Sequence, residues 1–174
     1  MKIGVISDTH DNLMSMQQAL DIFKQQAVDL IVHCGDWVAP FAVEYFSQNS
    51  GDIPVMGVIG NNIGDTRQVA KRNPLLAKPI LFAERHVLEV DIENGRKIAC
   101  CHGHDRPTLE ALISCKKYQA IFTGHTHKVR NEVIDGVLVL NPGTTCHASE
   151  GKIIPEATIA IYDSLANTAE IISF

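Results

Sequence analysis

The sequence predicts an α/β fold of one domain, residues 1–174, with two mixed β-sheets packed as a sandwich and helices on the outer faces. Three observations carry this expectation. Short apolar runs alternate with segments of helical period through the first half, the order that builds a parallel sheet. Two Asx-Gly turns in the second half join apolar runs as hairpins. The strands are numerous enough to fill two sheets. With 45% hydrophobic and 20% charged residues in 174, the composition is globular and excludes disorder, collagen and coiled coil.

The elements follow in order. Lys2 to Ser7 is a short apolar run of buried-strand type. Leu13, Met16, Leu20, Phe23 and Ala27 fall at helical spacing, with Asp11 or Asn12 as N-cap. Leu30 to Cys34 is a second strand. Val38, Phe41, Ala42, Tyr45 and Phe46 mark another helical face, with Pro40 near the first turn. Pro54 to Ile59 is a third strand. Val87 to Ile92 and Lys97 to Cys101 flank Asn94-Gly95, and Val129 to Ile134 and Val137 to Leu140 flank Asp135-Gly136, so both pairs read as hairpins. Between them Pro107 opens a short helix carrying Leu109, Leu112 and Ile113, and Ala120 to Thr123 is a strand. Ala157 to Tyr162 and Ala169 to Ser173 complete the set.

Charge and cysteine usage narrow the function. The formal net charge is -5, and Lys and Arg are scattered, which argues against a protein that grips nucleic acid by phosphate neutralisation. No apolar run approaches the ~18 residues of a membrane helix. The first apolar stretch stops at Ser7-Asp8, so it does not read as a signal peptide, and a cytoplasmic protein is expected. The five cysteines, Cys34, Cys100, Cys101, Cys115 and Cys146, show no CxxC pairing and read as small buried residues or free thiols. The oligomeric state is left open, a homo-oligomer included.

The informative pattern lies at the strand ends. They deliver Ser7-Asp8-Thr9-His10, Gly35-Asp36, Gly60-Asn61-Asn62, His102-Gly103-His104 and Gly124-His125-Thr126-His127. In α/β sheets ligands bind at the carboxyl ends of strands. Asp offers anionic oxygen, His a neutral nitrogen and Asn a carbonyl oxygen, a donor set suited to divalent metals. Alone, Asp-x-His is more readily a cap or turn; five such segments after five strands are not. Seven ligands exceed one tetrahedral zinc and fit two ions that share a carboxylate, an arrangement used to cleave phosphate esters. His33, His86 and His147 lie outside the clusters and read as structural or surface residues. Asn141-Pro142-Gly143-Thr144 reads as a tight turn, with a lining of the pocket as the equal alternative.

These motifs, from Asp8 to His127 with the trailing Asn-Pro-Gly turn, resemble the calcineurin-like metallophosphoesterase family, and the short chain resembles its small prokaryotic phosphodiesterase branch. The resemblance implies a metallophosphoesterase-like β-sandwich. It implies one metal on Asp8, His10, Asp36 and His127 and a second on Asp36, Asn61, His102 and His125. Asp36 would bridge the two with a hydroxide that attacks phosphorus. The ions implied are Mn2+, Ni2+, Fe2+ or Zn2+, with Mn2+ preferred, and the substrate is a small soluble phosphate ester, most simply a diester. A phosphomonoesterase, a protein phosphatase or a non-catalytic scaffold of the same fold are the alternatives. His104 matches a pocket position near the metals. Asn62 stands where many members carry a phosphate-contacting His. An amide donates a hydrogen bond but delivers no proton at neutral pH.

Overall fold

The apolar residues of each strand alternate between two cores, and this alternation builds the layers. The computed structural model describes residues 1–174. The elements are β1 (Lys2–Ile6), α1 (Leu13–Gln25), β2 (Leu30–His33), α2 (Pro40–Asn49), β3 (Val55–Gly57), α3 (Thr66–Arg72) and β4 (Leu81–Phe82). They continue with β5 (Val87–Asp91), β6 (Lys97–Cys101), α4 (Arg106–Ser114), β7 (Ala120–Phe122), β8 (Arg130–Ile134) and β9 (Val137–Asn141). The chain ends with β10 (Ala148–Ser149), β11 (Lys152–Ile153), β12 (Thr158–Asp163) and β13 (Thr168–Ser173).

One sheet runs β13-β12-β1-β2-β3-β4 and the other β5-β6-β7-β9-β8; β10 and β11 form a separate small hairpin. In the first sheet β1 to β4 are parallel and β12 and β13 antiparallel. In the second β6, β7 and β9 are parallel, and β5 and β8 close the edges as the two hairpin partners.

Ile3, Val5, Leu30, Val32, Ile98, Cys100, Phe122, Leu140 and Tyr162 meet between the sheets. Their neighbours Ile6, Ile31, Ile159 and Ile161 point the other way, under Met16, Leu20 and Phe23 of α1 and Val43 and Phe46 of α2. On the far side Ala99, Ile121 and Val137 lie beneath Leu109 and Ile113 of α4. Each fully buried aliphatic or aromatic side chain contributes about 1.5–3 kcal/mol, so the two main cores carry the fold. α1 sits flush because residue 4 is glycine: a Cβ there would lie 2.6 Å from the Phe23 ring.

The structure departs from the expected elements in local ways. Asn12, not Asp11, caps α1, accepting from Ser15 N. The helix stops at Gln25 rather than reaching Ala27, whose φ is 50°. α2 begins at Pro40, and Val38 lies outside it at φ 72°. The third strand is Val55–Gly57, shorter than Pro54 to Ile59; Val58 N still bonds His33 O, but beyond it Ile59 O turns aside to accept from Asp36 N. α3, β4, β10 and β11 had no clear periodicity to announce them. The cysteines are all free, with Cys34, Cys100 and Cys101 buried. No helix is long and apolar enough to cross a membrane.

Candidate metal centre

All the predicted ligands follow the carboxyl ends of parallel strands: Asp8 and His10 after β1, Asp36 after β2, Asn61 after β3, His102 after β6, and His125 and His127 after β7. The two sheets present these ends side by side, so five loops converge. Five of the seven residues have left-handed backbones: Asp8 (φ 53°), His10 (40°), Asp36 (61°), His125 (68°) and His127 (57°). Such conformations cost of order 1 kcal/mol each and persist where surrounding structure dictates them.

That structure is a set of hydrogen bonds that grips each carboxylate from behind. Asp8 Oδ2 accepts from Ser7 Oγ (2.5 Å) and His125 N (3.0 Å). Thr144 Oγ1 donates to Asp8 O at 2.8 Å. Asp36 Oδ1 accepts from Asn61 N (2.8 Å) and Asn62 N (2.7 Å), and its Oδ2 from Asn62 Nδ2 (2.8 Å). Next door Trp37, fully buried, donates its indole N–H to Val58 O at 3.0 Å and stacks on His33.

The remaining atoms face one another. His127 Nε2 lies 3.2 Å from Asp8 Oδ1, and His102 Nε2 lies 3.2 Å from Asp36 Oδ1. His10 Nε2 stands 3.8 Å from Asp8 Oδ1, 3.6 Å from Asp36 Oδ2 and 3.2 Å from His127 Nε2. His102 Nδ1 bonds Cys34 O at 2.8 Å and His127 Nδ1 bonds Ala148 O at 2.6 Å. Carbonyls only accept, so each Nδ1 carries a proton and Nε2 is turned to the centre, as in metal-bound imidazoles. Asp8 Oδ1 and His102 Nε2 are buried without a hydrogen-bond partner, and they are 4.0 Å apart. Orphaned buried polar atoms are costly, and divalent cations held at this centre would satisfy them.

The electrostatics agree. Burial opposes the charge on Asp8, but the imidazoles of His10, His127 and His102 around it hold its carboxyl below the ordinary range. Burial likewise opposes Asp36, and His102 and Asn62 outweigh it. The Asp8 carboxylate beside it pushes His127 up to about 10. Burial depresses His102, yet Asp36 and Asp8 raise it overall. Protons on the imidazoles play the part of the cations that two buried carboxylates demand.

Asn61 and Asn62 are exposed, and the Asn62 amide is engaged with Asp36. The His125 ring lies 5.2 Å from that of His102, and His104 lies 5.5 Å from His102 and 6.1 Å from His125. Burial and the neighbouring His102 and His125 lower the pKa of His104. The Asn141 turn supports rather than lines the site: Asn141 Nδ2 donates to Gly124 O at 2.7 Å. Two contributors were not singled out in the sequence. His33 is fully buried, accepts from Gly35 N at Nδ1 and meets Thr9 Oγ1 at Nε2, bracing the Asp8 and Asp36 loops. Cys146 Sγ lies 3.8 Å from His127 Nδ1 and groups with His10 and His127. An imidazole behind the first turn and a thiol two residues past Thr144 carry no spacing signal.

Comparison with known proteins agrees with this geometry. Residues 1–165 match the family model described as the calcineurin-like phosphoesterase superfamily domain. The chain is 34% identical over 164 residues to Phosphodiesterase MJ0936 of Methanocaldococcus jannaschii, covering 94% of this chain and 93% of that protein. It is 27% identical to the probable metallophosphoesterase YsnB of Bacillus subtilis, covering 98% and 95%. Among solved structures, a novel archaeal phosphodiesterase superposes with a TM-score of 0.87 at 32% identity over the whole of both chains. Yfce, a phosphoesterase from E. coli, shares the fold with a TM-score of 0.65 at 21% identity, covering 94% and 89%. The chain belongs to the calcineurin-like phosphoesterase superfamily, whose members are metal-dependent hydrolases of phosphate esters.

Proposed function

We propose that this chain, acting as one catalytic domain over residues 1–174, is a cytoplasmic, metal-dependent phosphodiesterase for small phosphate esters. Asp8, His10, Asp36 and His127 would hold one ion, and Asp36, Asn61, His102 and His125 the second, with Mn2+ the preferred metal. The observation that carries this reading is the pair of buried, unpartnered ligand atoms, Asp8 Oδ1 and His102 Nε2, 4.0 Å apart. The relative named a phosphodiesterase, similar over nearly the full length, supports the diester class.

Two divalent ions at this centre would supply Lewis acidity to the phosphoryl oxygens and lower the pKa of a bound water toward ~7. The protein's own part is preorganisation. Backbone N–H groups of Asn61, Asn62 and His125 fix the two carboxylates. Carbonyls of Cys34 and Ala148 fix the tautomers of His102 and His127. Thus these four residues need not turn as substrate arrives. Asn62 orients Asp36 and offers no proton to the leaving oxygen. His104 lies beside His102 and His125, within the pocket, where it would face the substrate.

The test is hydrolysis of bis(p-nitrophenyl) phosphate and p-nitrophenyl phosphate by metal-stripped protein to which Mn2+, Ni2+ or Zn2+ is returned. Metal-dependent turnover favouring the diester is expected. Preference for the monoester would make the protein a phosphomonoesterase, and full turnover without metal would overturn the mechanism.

A further inference from the structure

A cavity of about 430 Å3 opens beside His102, lined by neither His10 nor His127. Its walls are Val58 to Gly60 after β3, Ala83 to His86 after β4, and His102 and His104 after β6. Topology brings these together. β4 runs parallel to β3, and Ala83 N donates to Gly57 O at 2.9 Å. β5 then pairs with β6 through Val87 and Cys101. Residues 83–86 therefore leave the first sheet at its ligand-bearing edge and enter the second beside His102. The His86 ring lies 6.3 Å from that of His104, at 79°. With His104 5.5 Å from His102, a row of imidazoles leads from the metal centre to the cavity rim.

We propose that this cavity seats the ring-bearing substituent of the diester, a planar heteroaromatic group of nucleobase type, with Arg85 and His86 as specificity residues. The inference rests on the phosphodiesterase reading. His102 belongs to both the metal set and the cavity wall, so a group esterified to a phosphate at the centre reaches the cavity without leaving its bond. Ligand pockets span roughly 300–1,000 Å3; this one holds a ring with its sugar and is too large for a methyl group. Its apolar side, Val58, Ile59 and Ala83, and its imidazole faces suit a flat π-system. Glu84 and Arg85, both exposed and absent from every ion pair, place an acceptor and donors at the rim. Their opposite charges cancel, which suits the polar edge of a neutral ring and not a second phosphate.

The experiment uses the Mn2+-loaded protein and two diesters with one leaving group, the p-nitrophenyl esters of thymidine 5′-phosphate and of methyl phosphate. Wild type should prefer the nucleoside ester by about tenfold or more in kcat/KM. Arg85→Ala and His86→Ala should each remove most of that preference through KM, leaving the methyl ester unchanged. Equal loss on both esters, or no preference in wild type, would overturn the inference alone. Hydrolysis of neither ester by wild type would bring down the phosphodiesterase reading, and this inference with it. A second readout needs no metal: thymidine added to the metal-free protein should shift the His86 ring resonances saturably in NMR, and their indifference would count against the site.

Discussion

Gly60 is where one added methyl group would tell most about the centre. A Cβ there would stand 2.2 Å from Asp36 N and 2.3 Å from Asp36 Oδ1, and the backbone φ is +93°. Neither obstacle can swing aside: one is backbone, and the other is fixed by Asn61 N and Asn62 N. Gly136 supplies a matched control, with φ +86° and nothing within 4 Å of its Cβ. Both alanine variants incur the backbone strain, about 1–3 kcal/mol. Only Gly60→Ala adds overpacking, about another 1–3 kcal/mol. In a domain of this size each kcal/mol moves Tm by about 2–4 °C, so Gly60→Ala should melt about 2–12 °C below Gly136→Ala. Shifting Asp36 should also weaken metal binding by about 10- to 100-fold, the usual cost of losing a ligand's supporting contacts. Scanning calorimetry and metal titration of both variants check this. Equal melting temperatures with wild-type metal affinity in Gly60→Ala would refute the claim that Gly60 exists to let Asp36 approach.

Three further outcomes are expected. Asp36→Asn should reduce Mn2+-supported turnover more than His10→Ala, because Asp36 would serve both ions; the reverse order in kcat/KM would deny it the bridging place. With Asn62 unable to deliver a proton, rates should fall steeply with leaving-group pKa, and nitrophenyl diesters should outrun alkyl diesters by about 100-fold or more; a flat dependence that His104→Ala makes steep would transfer the acid role to His104. Burial holds His33 neutral, its pKa down at about 3. A depressed pKa means that its contribution is present above the unfolded value near 6.5 and is lost as pH falls from there toward 3. Urea unfolding at pH 7 and pH 4.5 should therefore show a smaller loss in His33→Gln than in wild type, and equal losses would place His33 outside the acid response.

The strands were legible because burial on both faces leaves near-continuous apolar runs, as in Ile3–Ile6 and Leu30–Val32. The candidate ligands were legible because five polar clusters each follow such a run. What stayed hidden depends on contacts distant in sequence. β4 is two residues long, with Leu81 58% exposed, and α3 buries only Val69, so neither carries an apolar face. Without β4, the path that sets His86 beside His104 has no sequence trace. His33 looks like a polar interruption on a strand, and its service to Thr9 and Gly35 emerges only when the β1 and β2 ends lie side by side. The left-handed backbones of Asp8, His10 and Asp36 belong to residue types that tolerate that region better than most, so composition gives no warning of them.

Asp8, Asp36 and the imidazoles around them are proposed to form a two-ion centre that hydrolyses phosphodiesters. The most direct measurement titrates metal-stripped protein with Mn2+ while following bis(p-nitrophenyl) phosphate hydrolysis and bound metal together. No turnover is expected without metal, and the rate should reach its plateau at two ions per chain. Full activity in the metal-free protein, or a plateau at one ion, would contradict this.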